Sequence, residues 1–226
     1  MIEELLPAPV VVVEAYGYDE FDERRLFPEE AAVVAQAIGK RRREFAAVRS
    51  CARRAMGKLG VPPHPVLPGE RGAPRWPESL TGSMTHCDGY CAAALAHVGD
   101  LASLGIDAEP DGPLPEGVLD AVALPAERER LLRLAHDDPG THWDRLLFSA
   151  KESVYKAWFP LTLRWLDFFE ADIEILVGPG EGLHGTFRAE LLVPGPVVGG
   201  RRLGHLDGRW TVGRGLLATA VTVPHD

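Results

Sequence analysis

Residues 61–78 read VPPHPVLPGERGAPRWPE, with six prolines and two glycines in one stretch. Each proline lacks a backbone N–H, fixes its own φ and pushes the preceding residue towards extended conformations. No helix or central strand can run through such a segment, so it reads as an extended connector. Regular structure must therefore be built on either side of it. Upstream, Val10 to Tyr16 is rich in β-branched residues and predicts a buried strand. Pro28-Glu29-Glu30 then opens a helix, with proline in the first turn and two acids at the positive end of the dipole. The helical pattern runs from about 29 to 59 with a break near Gly39, and Gly60 with Pro62-Pro63 ends it.

Downstream, Met84 to Cys87 and Tyr90 to His97 flank Asp88-Gly89, the signature of a hairpin with a tight primed turn. Leu101 to Glu109 is a further strand, ended by Pro110. Residues 116–136 and 142–159 are mainly helical, and strand-like runs follow at 171–177, 185–193, 208–213 and 215–223. This order predicts an α+β fold of two halves rather than a doubly wound parallel sheet. The halves are expected to be residues 1–105 and 106–226, a length sufficient for both around a shared core.

Charge is unevenly placed. The net charge is −9, which argues against a general nucleic-acid binder. Within 40–58, however, eight basic residues face only Glu44, and within 107–120 there are five acids and no base. A basic stretch opposite an acidic cluster suits an anionic ligand held by protein cations and a metal. The three cysteines, Cys51, Cys87 and Cys91, form no pairing pattern and fit a reducing compartment. Met1-Ile2-Glu3-Glu4 is acidic where a signal peptide is basic, and Val10 to Val13 is too short an apolar run for a membrane span. The expectation is a cytoplasmic protein that does not enter a membrane.

Three segments carry groups capable of chemistry. In Leu104-Gly105-Ile106-Asp107-Ala108-Glu109-Pro110, strand alternation sends Leu104, Ile106 and Ala108 to the core and both carboxylates to the other face. Two carboxylates at that spacing lie roughly 7 Å apart at Cβ, within reach of one hard cation. In FSAKESVYKAWF (148–159), Glu152 and Lys156 share a helix face. As a surface ion pair they would contribute only ~0.3–0.5 kcal/mol, but Val154, Ala157, Trp158 and Phe159 mark the helix as largely buried. In GSMTHCDGY (82–90), His86 and the two nearby cysteines invite a zinc reading. With the turn at 88–89, residue 87 pairs with 90 and 86 with 91, so the two sulfurs fall on opposite faces and share no metal. Gly-x-Gly-x-x-Gly, Walker and Gly-x-Ser-x-Gly patterns are absent.

GSMTHCDGY, then GIDAE, then FSAKESVYKAWF resembles, in order and spacing, the 4'-phosphopantetheinyl transferases, specifically the larger two-halved Sfp-type class with its enterobactin and mycobacterial-type members. The resemblance extends from the Arg-rich helix at 40–58 to about Trp165. It implies a pseudo-dimer of two similar α/β halves with coenzyme A at their interface. It also implies the activity: transfer of the 4'-phosphopantetheine arm of coenzyme A to a serine of apo acyl or peptidyl carrier proteins, releasing adenosine 3',5'-bisphosphate. Such carriers serve fatty acid, polyketide or non-ribosomal peptide synthases, often in secondary metabolism, and the enzymes are usually monomers.

By the same resemblance Asp107 and Glu109 bind Mg²⁺ (or Mn²⁺ in its place) and Glu152 completes the acidic set, Glu152 also serving as base for the carrier serine. Lys156 stabilises or protonates the leaving α-phosphate oxygen, and Lys151 contacts phosphate. Thr85 and His86 meet the phosphates of coenzyme A, Arg49 takes the 3'-phosphate with Arg41 as a second cation, and Arg71 is the connector's contribution. Trp158, Phe159, Leu161, Leu163 and Trp165 are expected apolar contacts for the carrier. Two other readings stay open on these residues: a non-catalytic module binding coenzyme A or a carrier protein, and a Mg²⁺-dependent pyrophosphatase.

Overall fold

The computed structural model describes residues 1–18, 21–180 and 183–225. Residues 19–20 of the polar segment after the first strand and 181–182 of a Gly/Pro turn lie outside them. The first half holds β1 (Val11–Tyr16), α1 (Pro28–Val33), α2 (Gly39–Lys58), β2 (Leu80–Cys87) and β3 (Tyr90–His97). The strands form an antiparallel sheet in the order β1-β3-β2. The turn at Asp88-Gly89 sets the register, with Gly89 at φ 74° and His86 opposite Cys91. Cys91 accordingly packs towards α2 while Cys87 faces the other core.

The second half holds β4 (Ser103–Pro110), α3 (Val118–Val122), α4 (Pro125–Asp137), α5 (Trp143–Thr162), β5 (Ala171–Val177), β6 (Leu183–Leu191), the short pair β7 (Val197–Val198) and β8 (Arg201–Arg202), β9 (His205–Gly213) and β10 (Leu216–Val223). Its sheet runs β4-β10-β9-β6-β5, antiparallel throughout. The expected helix at 116–136 is split, because Leu124 before Pro125 is extended (ψ 152°) and the proline restarts the chain at the first turn of α4. The proline-rich connector closes only one isolated bridge, Pro68 to Pro74, around a turn at Glu70–Gly72.

Side-chain alternation stacks the halves in four layers. Cys91, Ala93 and Leu95 of β3 pack on Ala47, Val48, Cys51 and Met56 of α2. Tyr90, Ala92 and Ala94 point the opposite way, onto Leu104, Ile106 and Ala108 of β4 and Ala218 and Ala220 of β10. The far face of the second sheet, with Ile173, Phe187, Trp210 and Leu217, is covered by Leu146, Leu147, Val154 and Trp158 of α5. The alanines of β3 keep the central layers thin. The chain thus folds as a two-halved α+β protein with the sheets inside and one long helix on each outer side.

Two devices bring β4 into the middle of this stack. Its outer edge is met by β2 side chains: Ser83 Oγ accepts from Ile106 N at 3.1 Å and Thr85 Oγ1 from Ala108 N at 3.2 Å. Its other side presses against α5 at Gly105, where an added Cβ would stand 2.0 Å from Ser153 O and 2.6 Å from Ala157 N. Only glycine permits that approach, and it sets the distance between Asp107 and the α5 side chains.

Candidate active site

Asp107 is 4% exposed and is the centre of a network joining both halves. Its Oδ1 accepts from Thr85 Oγ1 at 3.2 Å and from Lys156 Nζ at 2.7 Å, and its Oδ2 accepts from Ser149 Oγ at 2.8 Å. Ser149 Oγ also lies 3.0 Å from Thr219 Oγ1 of β10. Lys156 donates to Ile106 O as well, at 3.2 Å. The i,i+4 spacing of Glu152 and Lys156 therefore does not produce an ion pair between them, because the ammonium goes to Asp107. Glu152, half-buried, keeps a carboxylate with no ion pair among the described residues. Burial pushes its pKa above the usual carboxylate range; Lys156 pulls it back and the charge of Asp107 adds to the rise.

Glu109 pairs with Arg145, Nη1 to Oε2 at 3.0 Å. Its pKa is also raised, by burial first and then by Asp107. Among the described residues, no three His, Cys, Asp or Glu side chains are gathered closely enough to hold a metal as they stand. The expected set of Asp107, Glu109 and Glu152 is thus not closed: Asp107 faces Lys156 and Glu109 faces Arg145. Its chemistry nonetheless fits a hard divalent cation. All donors are carboxylate oxygens, and Asp107 raises the cost of ionising the other two.

Thr85 and His86 point to opposite faces of β2, so one touches Asp107 and the other touches α2. His86 Nε2 contacts Arg41 Nη1, with Glu44 Oε2 at 3.8 Å. Burial and then the Arg41 charge lower the His86 pKa, so the ring is neutral at pH 7 and can accept from Arg41. Arg49 is buried, with its guanidinium carbon 3.4 Å from the centroid of the Phe45 ring and Nε donating to Val66 O at 3.3 Å. Burial lowers its pKa to about 10, which leaves it cationic at neutral pH. It has no carboxylate partner among the described residues, whereas its helix neighbours Arg42 and Arg53 are paired with Glu23 and Glu30. A buried cation without a counter-ion is what an anionic ligand completes. Arg71 sits in the connector turn at φ 53°, its guanidinium 5.3 Å from the centroid of the Trp165 ring.

Lys151 does not join this group, which corrects its expected phosphate contact. Its side chain is 2% exposed and turns away from Asp107, towards α4 and the start of β5. There Nζ is 2.9 Å from Glu127 Oε1 and 2.9 Å from Ala171 O, and it also donates to Phe168 O. Three acceptors use its three donors, so none is left for a ligand. Trp158 and Phe159 are likewise core residues, while Leu163 and Trp165 are 65% and 50% exposed. Ser149, Arg145 and Glu127 escaped the sequence reading. For Ser149 and Arg145 the available signal was a polar residue inside the largely apolar α5, which needs a buried partner, whereas Glu127 lies among the many charges of α4 and carried no such signal.

A cavity of about 1080 Å³ lies over the second sheet on the face opposite α5, among Arg188, Arg201 and Arg209, and Asp107 is not part of its lining. A smaller one of about 150 Å³ opens beside Glu152, lined by Tyr155, Trp165 and Phe168. No described helix is long and apolar enough to cross a membrane.

Fold and site together define a class: a two-halved α+β protein with a buried arginine, unpaired among the described residues, on the helix of one half and buried carboxylates with a lysine on the other. Residues 29–96 match the 4'-phosphopantetheinyl transferase N-terminal domain and residues 103–190 the 4'-phosphopantetheinyl transferase superfamily. Over 224 residues the chain is 60% identical to 4'-phosphopantetheinyl transferase Svp of Streptomyces mobaraensis, covering 99% of this chain and 89% of that one. It is 51% identical to 4'-phosphopantetheinyl transferase Npt of Nocardia iowensis, over 98% of this chain and 99% of the relative. With 4'-phosphopantetheinyl transferase PptT of Mycobacterium tuberculosis the identity is 46%, over 99% and 98%. The chain belongs to the 4'-phosphopantetheinyl transferase superfamily and is a transferase of the two-halved kind.

Proposed function

We propose that this protein transfers the 4'-phosphopantetheine arm of coenzyme A to the serine of apo acyl and peptidyl carrier proteins, using the Asp107–Lys156 network as its reaction centre. The observation that carries the proposal is a buried carboxylate tied at once to Thr85 in the first half and to Ser149 and Lys156 in the second. Residues 1–105 contribute the coenzyme A cations and the His86 hairpin, and 106–226 the acidic set and its lysine. The strand Ser103–Pro110 crosses that division and carries Asp107 to the junction.

In this reading Arg49 takes the 3'-phosphate, with Arg41 and Arg71 as outer cations, while Thr85 and His86 orient the pyrophosphate. Asp107, Glu109 and Glu152 would hold Mg²⁺, or Mn²⁺ in its place, which neutralises the pyrophosphate when bound. Glu152 takes the proton of the carrier serine as its Oγ forms a bond to the phosphorus bearing the pantetheine. The bond that breaks joins that phosphorus to the bridging oxygen, and adenosine 3',5'-bisphosphate leaves. Lys156 supplies charge, or a proton, to the departing oxygen. Exposed Trp165, which lines a cavity with Glu152, and exposed Leu163 meet the carrier. One chain supplies both halves, so the working unit is a monomer, acting in the cytoplasm.

Intact mass spectrometry of an apo carrier protein incubated with the enzyme, coenzyme A and Mg²⁺ tests this reading. A gain of one phosphopantetheine that EDTA prevents is the expected result. No gain on several carrier types, with coenzyme A still bound, would instead favour a binding module, and coenzyme A cleavage without carrier a pyrophosphatase.

Two substitutions separate binding from chemistry. Lys156→Ala should lower kcat about 10²-fold with a smaller change in KM for coenzyme A, since its charge acts on the leaving group. A pure rise in KM would make it a binding residue. Arg49→Met should raise KM for coenzyme A about tenfold while leaving kinetics with 3'-dephospho-coenzyme A nearly as in the wild type. Equal losses on both substrates would remove Arg49 from the 3'-phosphate.

A further inference from the structure

The chain leaving β4 is fastened along its length to the first turn of α5. His142 Nδ1 lies 2.8 Å from Asp111 Oδ1, and Leu114 N donates to Asp144 Oδ2 at 2.9 Å. Arg145 makes the most of these ties. Its Nη1 donates to Glu109 Oε2 at 3.0 Å, its Nε to Gly112 O at 3.1 Å and its Nη2 to Pro113 O at 2.6 Å. Every guanidinium nitrogen is thus used on one short segment that begins at an acidic site residue. The side chains of Arg145 and Glu109 are only 18% and 21% exposed.

We infer that Arg145 is a positioning residue, holding Glu109 and the turn behind it in the orientation from which that carboxylate serves the acidic cluster. This rests on the proposed role of Glu109 as an oxygen donor to a divalent cation. A planar fork that reaches three acceptors fixes direction as well as charge, which a lysine cannot reproduce. Partners one shell out from a metal ligand commonly change metal affinity 10–100-fold when removed. The simpler role, a counter-charge for Glu109, predicts the opposite sign. A cation 3.0 Å from a ligand oxygen repels a metal, so its removal would tighten binding.

The test is titration of Mn²⁺ into the full chain, followed by the electron paramagnetic resonance signal of the free ion and checked by Mg²⁺ competition. Wild type, Arg145→Met, Arg145→Lys and Asp107→Asn are compared, each with its melting temperature. Both Arg145 variants should bind about tenfold more weakly, with lysine giving no rescue because the fork is missing. Tighter binding in Arg145→Met, or unchanged affinity in both, overturns the inference. If Arg145→Met does not fold, Arg145→Lys decides alone, since it keeps the charge. Wild-type uptake no greater than that of Asp107→Asn overturns the metal role itself, and the inference with it.

Discussion

Asp107→Ala is expected to abolish carrier modification while the fold persists. The three donors that converge on this carboxylate each retain a second partner. Thr85 Oγ1 still accepts from Ala108 N, Ser149 Oγ still meets Thr219, and Lys156 Nζ still reaches Ile106 O. Lys156 is 26% exposed and can take water as well. The cost in stability is therefore about 1–3 kcal/mol, that of lost hydrogen bonds at a buried site rather than of a stranded charge. The cost in rate is far larger. On the proposed mechanism, removal of the central carboxylate would take away a metal oxygen and untie Lys156 from the position that the leaving group needs, so kcat should fall about 10³-fold or more. Intact-mass turnover at saturating Mg²⁺, with circular dichroism and a melting curve alongside, checks both halves of the statement. Asp107→Asn refines it: the amide can keep contacts to the neighbouring hydroxyls but not the charge. Recovery of turnover by asparagine would leave Asp107 a hydrogen-bonding strut, and unchanged turnover in the alanine variant would remove it from the reaction.

What the sequence disclosed here follows from how local each signal is. The Asp88-Gly89 turn fixed a register that strand geometry then carried to His86 and Cys91, so the two cysteine faces were legible before any coordinates. The alternation of Leu104, Ile106 and Ala108 with Asp107 and Glu109 was legible for the same reason, since a strand has only two faces. Helix side chains were harder. Glu152 and Lys156 share a face, yet Lys156 turns to Asp107, some fifty residues away in the chain, and no periodicity specifies that choice. Arg42, Arg49 and Arg53 all lie on α2. Only the positions of Glu23 and Glu30 show that two are neutralised and one is not. Lys151 was misplaced because its neighbour Glu152 drew it into the same motif, although adjacent helical residues point about 100° apart.

Lys151→Met carries the second large expected effect, on stability rather than on rate. The substitution leaves the Glu127 carboxylate, which is fully buried, without the one cation paired with it among the described residues, at 2.9 Å. Two backbone donors remain to it, Leu124 N and Ile173 N, both at 2.7 Å, which is not enough to replace a charge. Breaking a buried pair from one side typically costs about 3–5 kcal/mol. The pH dependence fixes the cause. Burial already pushes the Glu127 pKa above the usual carboxylate range, against the pull of Lys151, so losing Lys151 raises it further. A carboxyl whose folded pKa exceeds its unfolded value binds protons more readily when folded, so folding weakens as pH rises between the two values. The melting deficit of the variant relative to wild type should therefore be largest near pH 7 and shrink on acidification, as Glu127 takes up a proton. A phosphate-binding Lys151 gives the opposite pattern: a small deficit independent of pH and a sharp rise in KM for coenzyme A. Because the two readings differ in which observable moves, melting curves at two pH values with one coenzyme A titration decide between them.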